Sequence, residues 1–191
     1  HFLDKLHFGE IINDFIRRMV IDGTAVMKIT EGLGNEIIKT RNVDLLNIII
    51  DPQAESIQKS GIIERHIMDI DEFQKMPWDN KEFVMGRTDI KTYSDMSKRS
   101  PKTVVPEVVV YERWSKIPLS LITKNNEDDN KWVEGVIIAS GIEQNQSVIH
   151  KVMLNPREDQ RKPYEESWFI KVPGRWYGVG IPELLFDLQE M

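Results

Sequence analysis

Imidazoles and carboxylates are the side chains that most readily move protons or hold metal ions, and their spacing in this chain limits the chemistry open to it. The four histidines are His1, His7, His66 and His150, and no two stand four apart, the spacing of a helical zinc pair. The densest metal-competent set is Glu64, His66, Asp69 and Asp71. Glu64 and His66 fall on one face of an extended strand, whereas Asp69 and Asp71 fall at a helix start, where the helix dipole favours carboxylates. Capping accounts for those two aspartates better than a metal does. Glu127-Asp128-Asp129 lacks the alternating acids, glycine and closing glutamate of a calcium loop and reads as a solvated turn. Gly32-Leu33-Gly34 has no third glycine, no lysine followed by Ser or Thr and no helix after it, so it reads as a hairpin turn rather than a phosphate cradle. There is no Gly-x-Ser-x-Gly elbow and no cysteine, which removes thiolate nucleophiles, thiolate metal sites and disulfides. The expectation is a protein without catalytic residues, metal or cofactor.

Two clusters of cations are candidates for phosphate contact: Lys98-Arg99 with Lys102, and Arg157 with Arg161-Lys162. Each phosphate contact adds salt-sensitive affinity, so the first cluster is a candidate weak DNA contact, against the plainer reading of solvated loop charge. The five tryptophans, Trp78, Trp114, Trp132, Trp168 and Trp176, lack the spacing of a base-stacking platform, and those in strands read as core. Trp176 differs, because Arg175, Trp176 and Tyr177 are flanked on both sides by glycine and proline just before a helix.

The elements that must position these groups follow from length and patterning. At about 150 residues per domain, 191 residues make one domain, or one with a lobe inserted in it. Apolar residues at 40% suffice for a core, and the 31 acids against 25 bases give a net charge of −6, the wrong sign for a surface that grips nucleic acid throughout. No stretch approaches the ~18–20 uninterrupted apolar residues of a membrane span, and the first ten residues carry no signal-peptide pattern. The absence of cysteine fits a chain made in a reducing compartment. The first residue is not Met and the last residues fall within a helical pattern, so the chain is read as part of a longer one.

Apolar residues near 3.6 spacing predict a helix from about Phe2 to Ile21, closed by Gly23. Thr24 to Glu31 and Glu36 to Thr40 form a hairpin around Gly32-Leu33-Gly34-Asn35, and Leu45 to Ile50 forms a strand ending at the turn Asp51-Pro52. A short helix from Ala54, a strand over Gly61 to Met68 and a helix opened by Asp69 with Glu72 as capping partner follow. Residues 78–103 are polar and weakly patterned, a helical or mobile excursion. Strands are expected at Glu107 to Lys116, Leu119 to Lys124, Lys131 to Ala139, Val148 to Leu154 and Trp168 to Val172, paired consecutively as an antiparallel meander. Pro182 then takes the first position of a final helix. The fold class is α+β: an N-terminal helix, mixed or antiparallel sheet with short helices, a β-rich second half and the start of a C-terminal helix.

The segment Arg175-Trp176-Tyr177-Gly178-Val179-Gly180-Ile181-Pro182-Glu183, continued by Leu184-Leu185-Phe186-Asp187-Leu188-Gln189-Glu190, resembles the junction of tailed-bacteriophage portal proteins, where Tyr-Gly-x-Gly-Ile-Pro-Glu leads into a helix with Leu-Gln near its start. The upstream order is similar in outline: a helix leading to Gly23, Val43 to Ile50 delivering Asp51-Pro52, and the strand Val108 to Trp114. The resemblance implies the peripheral wing of a head-to-tail connector, with stem helices and clip beyond Met191. It further implies a homo-oligomeric ring, typically a dodecamer, at the capsid vertex of a phage or prophage virion, assembled in the host bacterial cytoplasm. Double-stranded DNA would pass through it, and terminase, capsid, scaffold and head-tail adaptor proteins would be its partners, with no membrane. Arg175, Trp176 and Tyr177 would then be a wing-to-stem or subunit contact, or packing beneath the last turn. Two alternatives stay open: a hydrolase in which Glu64, His66 and Asp69 converge in a cleft, and a β-rich protein- or glycan-binding module that exposes several tryptophans together.

Overall fold

The computed structural model describes residues 7–31, 38–85, 107–141 and 147–189. The fold is α+β, with a helix near the start, two antiparallel sheets, a few short helices, a strand-rich second half and a C-terminal helix. Two compact units emerge, His1–Ile62 with Arg157–Met191, and Ile63–Pro156. The first is thus assembled from both flanks of the chain and the second from its middle.

In the first unit, helix α1 (Phe8–Asp22) ends at Gly23, whose φ of 76° is the left-handed conformation that a helix C-cap requires and glycine adopts without strain. Strand β1 (Thr24–Glu31) pairs antiparallel with β2 (Ile38–Val43) from Val26↔Val43 to Glu31↔Ile38, the expected hairpin, while its turn lies outside the described residues. The other edge of β1 is taken by β8 (Tyr164–Trp168), from Thr24↔Trp168 to Lys28↔Tyr164. As the central strand, β1 is buried at five successive positions, Thr24 to Lys28, instead of alternating. Lys28 is carried inside with them, its Nζ 5.0 Å from the centre of the Tyr164 ring. Asn42 ties β2 to α1: its Nδ2 donates to the Ile11 carbonyl and to Asp14 Oδ2, both at 2.8 Å. That bond, then the one from Arg18, holds the Asp14 carboxyl below its ordinary range.

Several expectations for this unit are corrected. The run Leu45 to Ile50 is not one strand: the Asp44 carboxylate accepts from Leu46 N at 2.9 Å and holds Leu45–Asn47 in a 3-10 turn, leaving β3 as Ile48–Ile50. Asp51 does start a turn, accepting from Gln53 N through its side chain and from Ala54 N through its carbonyl, both at 2.9 Å. No helix follows at Ala54, because the N–H of Ile57 donates to Glu166 Oε1 at 2.9 Å instead of to a helical carbonyl. The last strand ends at Trp168, earlier than expected, and Ile170 makes only an isolated bridge to Val179. Helix α5 (Ile181–Gln189) begins one residue before Pro182.

The second unit contains β4 (Ile62–Asp69), α2 (Ile70–Lys75), α3 (Lys81–Met85), β5 (Glu107–Pro118), α4 (Ser120–Thr123), β6 (Trp132–Ser140) and β7 (Val148–Leu154), with strand order β4-β5-β6-β7. β5, β6 and β7 form the expected meander, with an irregularity between Ile138 and Ala139. The chain then leaves that sheet, so consecutive pairing fails at β8, which joins β1 instead. Residues 119–124, expected as a strand, hold α4 instead: Ile122 N and Thr123 N donate to the Leu119 carbonyl at 2.9 and 3.0 Å, and Lys124 N donates to Ser120 O at 2.7 Å, while Leu119 N donates back to Lys131 O at 2.7 Å. Asp69 stands at the start of α2, but its side chain makes no capping bond, so the expected capping box does not form. Residues 81–85 are helical within the polar excursion, and its residues 86–103 lie outside the described residues.

Phe73, Val108 and Val110 form the buried core here, packed by Met68, Ile70, Trp78, Val84 and Ile138. His150, 1% exposed, stacks on Trp78 with centroids 5.9 Å apart and meets Phe73 edge-on at 5.2 Å. Its Nδ1 donates to the Asp79 carbonyl at 2.8 Å, and its Nε2 lies 2.7 Å from the Ser140 hydroxyl. A carbonyl only accepts, so Nδ1 carries the proton.

Candidate functional site

Arg175, Trp176 and Tyr177 occupy a tight crossing between the end of β8 and the start of α5. Trp176 is fully buried, its N–H donating to the Pro52 carbonyl at 2.7 Å and its indole Nε1 to Glu166 Oε2 at 2.5 Å. The carbonyl of Trp176 accepts in turn from Trp168 Nε1 at 2.6 Å. Tyr177 packs edge-on against the Trp176 ring, with centroids 4.8 Å apart. Arg175 is half-buried and acts as a splint: Nε donates to the Tyr177 carbonyl at 2.8 Å, while Nη2 reaches the Gly178 carbonyl at 3.1 Å and both Glu183 oxygens at 3.3 Å. One guanidinium therefore links the turn to the first residues of α5.

Backbone proximity explains the glycines of this segment. A Cβ on Gly23 would lie 2.5 Å from the Gly178 oxygen and 2.6 Å from the Gly180 nitrogen, and one on Gly178 or Gly180 would strike the Gly23 or Ile21 carbonyl. The end of α1 and the Gly178-Val179-Gly180 turn thus meet backbone to backbone, fixed by a bond from Gly178 N to Thr24 Oγ1 at 2.7 Å. Gly174 has a similar φ of 76°, yet nothing lies within 4 Å of its would-be Cβ.

Glu166 joins the halves of this arrangement, accepting from Ile57 N with one oxygen and from Trp176 Nε1 with the other. Burial pushes its carboxyl above the ordinary glutamate value of 4.5, and the two hydrogen bonds oppose that rise without cancelling it. Sequence reasoning missed Glu166, because nothing in Tyr164-Glu165-Glu166-Ser167 distinguishes the inward acid from its outward neighbour except the strand alternation.

Of the metal-competent set, the structure brings together Glu64 and His66, but with Glu112 of β5 rather than with Asp69 or Asp71. His66 Nε2 lies 2.8 Å from Glu112 Oε2 and 3.6 Å from Glu64 Oε2. Asp69 and Asp71 are exposed at the start of α2.

Lys98, Arg99 and Lys102 lie outside the described residues. In the second basic cluster, Arg157 donates twice to Asp159 at 3.1 Å, Arg161 pairs with Glu165 at 3.0 Å, and Lys162 is buried with Nζ 2.8 Å from the Gln58 carbonyl. The Arg157 bond, with one from Arg161 N, also holds the Asp159 carboxyl below its ordinary range. In the acidic turn, Asp128 accepts from Lys131 Nζ at 2.7 Å and from Thr123 Oγ1 at 3.1 Å, bonds that fasten the loop. Trp114 is buried as expected of a strand tryptophan, and Trp176 is buried too, but Trp132, though in a strand, is 61% exposed. It is the one exposed member of the five, so no group of exposed tryptophans forms.

No helix among the described residues is long and apolar enough to cross a membrane. Compared with protein-family models and with curated protein sequences, the chain matches none.

Proposed function

We propose that the chain is the wing region of a portal subunit, a structural protein of the ring at a tailed-phage capsid vertex through which double-stranded DNA is packaged and ejected. The observation that carries this reading is the run Tyr177-Gly178-Val179-Gly180-Ile181-Pro182-Glu183 leading into a helix that continues to Leu188-Gln189. Two physical features support it. The segment is built for a fixed exit angle: Gly178 and Gly180 allow backbone contact with Gly23, and Arg175 splints the turn to Glu183. The helix it launches exposes Ile181, Leu184 and Leu185, three and four residues apart and so on one face, an apolar strip suited to a neighbouring element or subunit.

On this reading Arg175, Trp176 and Tyr177 set the junction from wing to stem through packing and hydrogen bonds, and no residue is catalytic. Terminase, capsid, scaffold and head-tail adaptor proteins are the partners, and DNA contact is weak and salt-labile, with Lys98, Arg99 and Lys102 as its candidates. The chain's net charge of −6 suits a conduit past which DNA must slide.

The test is the native mass, with negative-stain images, of the protein as its complete gene encodes it. Rings of about a dozen subunits around a channel are expected. A well-folded monomer or dimer overturns the proposal, as does a tight, sequence-specific DNA complex.

A further inference from the structure

Glu64 and His66 stand two residues apart on β4, and Glu112 reaches them from β5. One donor atom from each lies within 4.8 Å of the others, and His66 Nε2 is 2.8 Å from one carboxylate and 3.6 Å from the other. Two ligands bound at about 2.0–2.1 Å to a tetrahedral zinc ion are about 3.3–3.4 Å apart. The two His66 separations bracket that edge, and all three donor atoms lie within 4.8 Å of one another.

We infer that Glu64, His66 and Glu112 form a binding site for a first-row transition-metal dication, of which zinc is the natural probe. The donor set selects this class: an imidazole favours such ions over magnesium, and three protein donors fall far short of the six to eight oxygens that calcium takes. A gradient of exposure gives the ion a route in. The Glu64 side chain is 2% exposed and forms the floor, while Glu112 at 18% and His66 at 24% are the more accessible members. A supporting contact is also in place, because Trp114 Nε1 donates to Glu112 Oε1 at 2.6 Å while Oε2 faces His66. Partners of this kind orient metal ligands and strengthen binding. The inference does not depend on ring assembly.

The deciding experiment is calorimetric titration of zinc chloride into the chelator-treated full chain with excess magnesium present, alongside thermal unfolding. One zinc per chain and a higher midpoint are expected, with affinity lowered at least tenfold in His66→Gln and in Glu112→Gln. Failure of the wild type to bind overturns the site. Undiminished binding in His66→Gln also overturns it, as that would place zinc on other groups. Should Glu112→Gln not fold, His66→Gln decides, since its partly exposed side chain can be exchanged without opening the core.

Discussion

The Arg175–Glu183 crossing and the Glu64–His66–Glu112 cluster are both rich in side chains that chemistry uses, yet they use their polar atoms in different ways. In the crossing those atoms mostly go to backbone: Arg175 to two carbonyls, Trp168 to the Trp176 carbonyl, Thr24 and Glu166 to backbone N–H groups. In the cluster, side chains meet side chains around one imidazole nitrogen. Backbone-directed bonds fix a path for the chain, whereas convergent side chains create a point at which an ion can sit. The first arrangement is architecture and the second is a receptor, although the sequence makes Arg-Trp-Tyr the more conspicuous of the two.

Substitutions can break this contrast. The largest effect is expected at Gly23→Ala, which meets both a left-handed φ and the backbone of Gly178 and Gly180; destabilisation of about 3 kcal/mol or more should appear in urea unfolding followed by tryptophan fluorescence. Gly174→Ala shares the φ but not the contact, and should cost only about 1 kcal/mol. Equal losses at the two positions would refute the close backbone approach. Within the second unit, His150→Phe should keep the ring packing but strand the buried Ser140 hydroxyl, costing about 2 kcal/mol in the same assay. A neutral result would show that the imidazole serves there only as an aromatic filler.

Smaller, but more discriminating, is Glu166→Gln. The amide can accept from Ile57 N but then turns its NH2 toward the indole Nε1–H of Trp176, a loss of about 1–2 kcal/mol. Because burial raises the Glu166 carboxyl in the folded state, its protonated form contributes full stability below the ordinary value of 4.5, and that contribution is lost as pH rises through the elevated folded value. Glutamine does not titrate. The deficit of the variant relative to wild type should therefore be largest in acid and shrink toward neutral pH, as read from urea midpoints between about pH 4 and 7. A deficit that grows with pH would mean that the two hydrogen bonds outweigh burial.

Local patterning made much of the fold legible. The periodicity before Gly23, the hairpin and the three strands of the meander each carry their signal within a dozen or so residues, and the structure places them with small shifts. Failures occurred where distant partners override local preference. Leu119 to Lys124 has strand-like composition but closes a turn against Lys131, and Ala54 to Ile57 lacks a helix because Glu166 captures its backbone. Lys28 is a cation within a strand, yet β8 and the Tyr164 ring enclose it. The site was half visible for the same reason: Glu64 and His66 are neighbours in sequence, but Glu112 comes from 46 positions beyond His66, and spacing alone cannot announce it.

The assembly of the first unit from both flanks of the chain bears on how the protein is made. The bond from Gly178 to Thr24 joins residues 154 positions apart, and β1 gains its second neighbour only when β8 arrives. Contacts of such separation are slow to form. On the ribosome, α1 and the β1–β2 hairpin emerge early and then wait with one edge of β1 unpaired while the whole middle unit is synthesised. That open edge is a template for the wrong strand, so the interval before Trp168 is translated is the period in which a nascent chain most needs a chaperone.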